Sequence, residues 1–181
     1  MTKVFDKQIQ NRNYLSPIGF KFTLAKHPKA VFFCNSAKIP EITLETNQQS
    51  NYLKMIDVPG DILTYGDLTL KFLVDEDMEN YMVIHNWITG LGFPETAQQY
   101  KNLTLNDEGL RDAKEAFSDG SLRILNNNYR DVAVVKFLDL YPVSLTSLEF
   151  DATVTDVKYF TAEVSFKYTV YTILDKYNKR L

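Results

Sequence analysis

A chain of 181 residues with 45% hydrophobic and 13% aromatic side chains holds enough apolar material for one substantial core and requires no second domain. Charged residues make up 24%, an ordinary share that excludes a disordered class, and a formal net charge of -3 with 20 scattered basic residues argues against a surface built to track phosphates. The single cysteine, Cys34, cannot form a disulfide within the chain and suits a reducing compartment. The opening Met1-Thr2-Lys3-Val4-Phe5-Asp6-Lys7-Gln8 lacks an apolar segment, and no later apolar run reaches bilayer length, so neither a secretion signal nor a membrane span is expected.

In chain order, Phe20-Lys21-Phe22-Thr23-Leu24 alternates with period two and predicts a strand with Phe20, Phe22 and Leu24 on its buried face. His27-Pro28-Lys29 predicts a turn, and Val31-Phe32-Phe33-Cys34 a second strand closing a hairpin on the first, with Cys34 as a small core hydrophobe. Ile42-Thr43-Leu44-Glu45 is extended and leads into a polar stretch from Thr46 to Asn51, an exposed loop or arm; Val58-Pro59-Gly60-Asp61 carries a turn signature. Leu68, Leu70, Phe72 and Val74 mark the buried face of a further strand. The period then changes. Tyr81, Ile84, His85, Ile88 and Leu91 fall at helical spacing, with Asp75 or Asp77 as cap and Gly90, Gly92 and Pro94 as stop. Trp87 lies at the edge of that stripe, where it can pack on a sheet or face a partner.

Residues 95–129 are the least regular and read as an insertion, with a short helix across 108–117, a turn at Ser118-Asp119-Gly120, a strand at Leu122-Arg123-Ile124-Leu125 and a turn at Asn126-Asn127-Asn128. Asp131 to Leu138 is apolar on both faces and predicts a central strand that Leu140-Tyr141-Pro142 breaks; Leu145, Leu148 and Phe150 then seal the end of the core. From Phe160 to Val170 the alternation is the cleanest in the chain. A single strand of that length spans roughly 35 to 40 Å and needs a long partner or a neighbouring subunit.

No constellation with catalytic or metal-binding spacing emerges, so the chain reads as a non-enzyme with no catalytic, cofactor-binding or metal residues assigned. His27 and His85 are isolated, and no Cys-x-x-Cys or His-x-x-x-His pair occurs. Asp75, Asp77 and Glu79 imitate the start of a calcium loop, but Asn80 stands where that loop needs glycine. Gly90-Leu91-Gly92 follows a helix, whereas phosphate cradles precede one. Asn102-Leu103-Thr104 fits a glycosylation acceptor only in a secreted chain.

The order of several motifs is more informative than any one of them. Phe32-Phe33-Cys34-Asn35-Ser36-Ala37-Lys38-Ile39-Pro40, then Val58-Pro59-Gly60-Asp61, then the strand Thr69-Leu70-Lys71-Phe72 running through Asp75-Glu76 into a helix bearing Trp87, then Leu140-Tyr141-Pro142 and the alternating final strand, resembles the tail-tube proteins of T4-like contractile-tailed bacteriophages over most of residues 17 to 173. The resemblance implies a mainly β (α+β) fold, an antiparallel β-sandwich or small barrel with one main flanking helix, as a single domain over 1–181. It also implies a structural virion protein of the phage tail, assembled in the host cytoplasm. Six copies would form a ring, and stacked rings would conduct viral DNA without binding it specifically. The implied partners are further copies of the chain and the sheath, baseplate and tail terminator proteins, with no membrane and no cofactor. The 95–129 insertion and a short extension at 174–181 exceed a minimal tube subunit, and admit a specialised ring that starts or caps the tube at the baseplate. A different class of reading is a monomeric carbohydrate-binding β-sandwich that stacks sugars on Tyr52, Tyr65 or Trp87. A hydrolase built from scattered carboxylates is a third, but no motif nominates its residues.

Overall fold

The computed structural model describes residues 14–30, 34–105, 112–151, 153, 159–177 and 179–180. Among them, nine strands and two helices are formed in the order β1 (Phe20–Leu24), β2 (Cys34–Lys38), β3 (Ile42–Ser50), β4 (Met55–Tyr65), β5 (Leu68–Leu73), α1 (Glu79–Gly92), α2 (Ala97–Leu103), β6 (Ser118–Leu125), β7 (Asp131–Leu145), β8 (Thr161–Lys167) and β9 (Val170–Asp175), with a 3-10 turn at Ala113–Ala116 before β6. All pairings between these strands are antiparallel. The main body runs β1-β6-β7-β8-β5-β2, with β9 also on β7, and β3-β4 forms a separate two-stranded ribbon. The architecture is therefore the expected mainly β body with a principal flanking helix.

The strand β7 links the two halves of this body. Its first part pairs with β6 and with β9, and its last part, from Tyr141, pairs with β8. The change falls at Asp139, whose φ of 55° is left-handed. There Leu138 and Asp139 together face Asp119 of β6, since Gly120 pairs with Phe137 and Ser118 with Leu140. Such a bulge bends the strand and lets one chain segment serve two sheets. The segment expected as one long terminal strand divides at the same level, between β8 and β9, where the Thr169 amide donates to the Leu138 carbonyl at 3.0 Å. It does have the long partner that its length called for, the 15-residue β7.

Between the sheets lies a continuous core of Phe22, Leu24, Leu68, Leu70, Phe72, Leu122, Val135, Phe137, Leu140, Ala162, Val164 and Phe166, closed by Ile84 and Trp87 from α1. Each fully buried Leu, Val or Phe contributes about 1.5–3 kcal/mol, which is ample to hold the body together. Leu145 and Leu148 pack against this core as expected, while Phe150 is exposed and stacks on Phe160 at 4.7 Å.

Several local expectations are corrected. The described Cys34 belongs to β2, which pairs with β5 instead of forming a hairpin with β1; β1 pairs with β6, and residues 31–33 lie outside the described residues. Pro59-Gly60 is inside β4, beside an irregularity where Gly60, Asp61 and Ile62 face Glu45. A β-carbon on Gly60 would meet the Glu45 carbonyl oxygen at 2.6 Å, so glycine serves close backbone approach there and not a reversal of the chain. Ser118-Asp119-Gly120 likewise begins β6, because Gly120 makes room for the side chains of Leu140 and Phe22, with which an added β-carbon would collide. Pro142 does not break β7: it lies where that strand borders its sheet and next to a second bulge at Val143, where a missing amide is tolerated. Within 95–129, β6 occupies the position between β1 and β7, and the described part of 108–117 is only the 3-10 turn, capped by Asp112 accepting from the Lys114 amide at 2.9 Å. The Asn126–Asn128 turn is present, its Asn126 carboxamide oxygen accepting from the amides of Asn128 and Arg130 at 2.9 Å each.

The helix α1 buries Asn80, Ile84, Trp87 and Gly90, a stripe rotated from the expected one, and leaves His85 exposed. Neither Asp75 nor Asp77 caps it. Met78 takes the cap position with φ 56°, and the buried Asn80 side chain ties the first turn to β5 by donating to the Leu73 carbonyl at 2.7 Å and accepting from the Asp75 amide at 3.2 Å. Gly90 is not a stop; it is the point where α2 crosses, and a β-carbon added to it would stand 3.4 Å from Leu103. Phe93 ends the helix in a left-handed conformation.

Candidate assembly surface

The feature that the core does not explain is the ribbon β3-β4. Every residue of β3 is exposed, and β4 has only Val58, Gly60 and Tyr65 partly covered. Its exposed side chains are not uniformly polar: Ile42, Leu44, Met55, Ile56, Ile62 and Leu63 are each at least 44% exposed. A two-stranded hairpin is marginal in water by itself, and this one carries its apolar groups into solvent. The polar stretch expected as a loop or arm is thus an arm, made rigid by a ladder from Ile42↔Tyr65 to Ser50↔Met55.

The arm joins the body at an aromatic cluster. Tyr65, the last residue of β4, sits 6.1 Å from Tyr168 and 5.6 Å from Tyr171, ring centroid to centroid, and Phe137 of β7 supports Tyr168 at 5.2 Å and Tyr171 at 5.7 Å. The two outer hydroxyls close on main-chain oxygens at the root: Tyr168 donates to the Gly66 carbonyl at 2.9 Å and Tyr171 to the Pro40 carbonyl at 3.2 Å. Burial and the neighbouring Tyr171 push the Tyr168 hydroxyl up to about 12, and burial raises that of Tyr171, so both remain donors near neutrality.

Open sheet borders complete the surface. Among the described residues β1 pairs only with β6 and β2 only with β5, and the ribbon exposes two borders of its own. Unpaired amides and carbonyls of this kind are templates for another chain. The outward side of β5 and β8 carries ion pairs, Lys71 with Glu163 and Lys167 with Asp67, each at 3.0 Å, exposed enough to contribute little stability.

The residues weighed for chemistry are not assembled into a site. Trp87 is buried; its indole N–H donates to the Ala116 carbonyl at 2.9 Å and its ring meets His27 and Phe166. Tyr52 is at the tip of the arm and Tyr65 at its root, so the three aromatics considered as sugar platforms are in three separate places. Burial and Lys26 lower the His27 pKa, while burial raises the Cys34 thiol to about 11, as suits a half-buried cysteine donating to the Ser36 carbonyl at 3.3 Å. Among the described residues no three His, Cys, Asp or Glu side chains converge as metal ligands, and no helix is long and apolar enough to cross a membrane. The surface can bind through main-chain pairing and apolar contact.

Residues 4–174 match the phage tail tube protein family. The chain belongs to that family. Its role is accordingly structural and non-enzymatic. No curated protein sequence matches the chain. Among solved structures, it is similar to the tube-terminating cap of the anti-feeding prophage, with a TM-score of 0.60 at 17% identity over 96% of this chain and 99% of that one. It is also similar to a chain of the sheath-tube complex of the PVC extracellular contractile injection system, with a TM-score of 0.58 at 15% identity over 91% and 93%. A chain of the PVC sheath/tube terminator gives 0.57 at 17% identity over 90% and 99%. At these identities the likeness establishes a shared fold, and that fold is the tail-tube one expected from the order of motifs.

Proposed function

We propose that six copies of this chain join their sheets into a ring, and that rings stack into the inner tube of a contractile phage tail through which viral DNA passes. The observation that carries the proposal is the arm: an ordered ribbon whose apolar side chains are exposed in the single chain is explained if other copies cover it. Closure of a ring also pairs the open borders of β1 and β2, removing an aggregation hazard by symmetry. The weakly acidic chain suits a conduit, since a cationic wall would release counterions from DNA and hold it. Residues 1–181 act as one tail-tube domain, and the parts of 95–129 and 174–181 that lie outside β6 and β9 supply contacts to sheath, baseplate or terminator proteins. The tube belongs to the virion tail and is put together in the host cytoplasm.

A second reading is a ring that starts or caps the tube, supported by the likeness in fold to a tube-terminating cap. Electron microscopy and native mass spectrometry of the purified chain separate the possibilities. Hexameric rings that grow into open-ended tubes are the expected result; single rings that stop growth favour the capping role. A monomer that persists at high concentration and with tail partners present would overturn both.

A further inference from the structure

The arm touches the rest of the chain chiefly at its root, so whatever fixes the root fixes where the tip lies. With nine residues in β3 at about 3.3 Å each, the arm reaches roughly 30 Å. An error of about 10° at the root would therefore displace the tip by about 5 Å, more than one residue of strand register and about one interstrand spacing. A slip of one residue turns every side chain to the opposite face, so an arm that pairs with another chain must be aimed more closely than that.

Two hydroxyl donors do the aiming. The Tyr171 hydroxyl holds the carbonyl of Pro40, just before β3 begins, and the Tyr168 hydroxyl holds that of Gly66, just after β4 ends. The two legs of the arm are also tied to each other there by the Gly66 amide donating to the Glu41 carbonyl at 3.0 Å. Tyr168 comes from the crossing between β8 and β9 and Tyr171 from the start of β9, where it pairs with Phe137, and both rings stand on Phe137 of β7. The clasp thus grips one leg with each hydroxyl and refers both to the most central strand of the body. Tyr65 packs edge-on against both rings from the arm's own side, and the two rings meet each other at 6.0 Å.

We infer that Tyr168 and Tyr171 are positioning residues that set the angle of the β3-β4 arm, and that ring assembly depends on this angle apart from the stability of the fold. The inference rests on the reading that the arm engages other copies. A merely structural pair of hydroxyls would affect melting; a positioning pair affects where the arm points.

The test uses the full chain with Cys34→Ala and spin labels at Asn51→Cys, on the arm tip, and Lys136→Cys, on the body. Label-to-label distances are measured in the unassembled fraction, and assembly is scored by electron microscopy of the unlabelled proteins. The wild-type pair is expected to give one narrow distance distribution. Tyr168→Phe with Tyr171→Phe, which keeps both rings, is expected to broaden it at least twofold and to lower ring yield at least tenfold, with the circular dichroism spectrum unchanged. Tyr171→Phe alone, carried in parallel should the double variant not fold, is expected to give an intermediate effect. Tyr81→Phe, which removes a hydroxyl bond to the Thr146 carbonyl at 3.2 Å far from the arm, is expected to change neither readout. A double variant with a narrow distribution, or one with a broad distribution and normal ring yield, would overturn the inference alone. Wild-type protein that forms no rings would overturn the ring reading and this inference with it.

Discussion

Trp87 and His85 are two residues apart on one helix and have opposite surroundings: the indole is 1% exposed and the imidazole faces solvent. Hydropathy alone does not separate them, because a stripe centred on Ile84 and Ile88 accommodates either phase. What decides is a hydrogen-bond partner from far along the chain, the Ala116 carbonyl, which allows the whole indole to be buried with its N–H satisfied. The tyrosine cluster obeys the same rule, and it makes a prediction in pH. The folded Tyr168 hydroxyl is raised to about 12 against an ordinary value near 10, so the folded state retains its proton where the unfolded state has lost it. Its contribution is fully present below about pH 10 and is lost as pH rises through about 12. Spectrophotometric titration should show a late-ionising tyrosine that Tyr168→Phe removes, and the fall in melting temperature across this interval should be shallower in that variant.

At the scale of elements, glycine and proline were the misleading letters. Gly60, Gly120 and Pro142 each look like punctuation in sequence, yet all three lie within strands, for reasons of crowding or position at a border that depend on which strand is alongside. Among the described residues the first two strands pair not with each other but with β6 and β5, since adjacency in sequence says little when distant strands offer partners. Gly90 offers a measurable case. A methyl group there would lie at ordinary contact distance from Leu103, so Gly90→Ala should raise stability by up to about 1 kcal/mol through helix propensity. Gly90→Leu should instead wedge α2 away from α1 and cost about 1–3 kcal/mol. Urea denaturation of the two variants checks both signs.

For the whole molecule, stability and assembly reside in different parts. The core between the sheets holds the body, whereas the arm buries almost nothing in the single chain. Ile56→Lys, at a position 44% exposed on the arm, should change unfolding stability by no more than about 0.5 kcal/mol. The same change should abolish rings and tubes in micrographs, because a lysine ammonium would have to be buried against another copy. Ring formation by a protein carrying that substitution would remove the arm from the interface.

The sequence by itself determined the class of fold, the buried faces of β1, β5 and β8, the presence of α1 and the likeness to tail-tube proteins, since each depends on the period of apolar residues or on motif order along the chain. Only the tertiary structure decided which strands pair, that β7 bends at Asp139 to serve two sheets, that the polar stretch after Leu44 is half of a projecting ribbon, and that Tyr168 and Tyr171 clasp its root. These are contacts between residues tens of positions apart, and such contacts are selected by the competition of all surfaces for burial and hydrogen bonding at once, which no local pattern records.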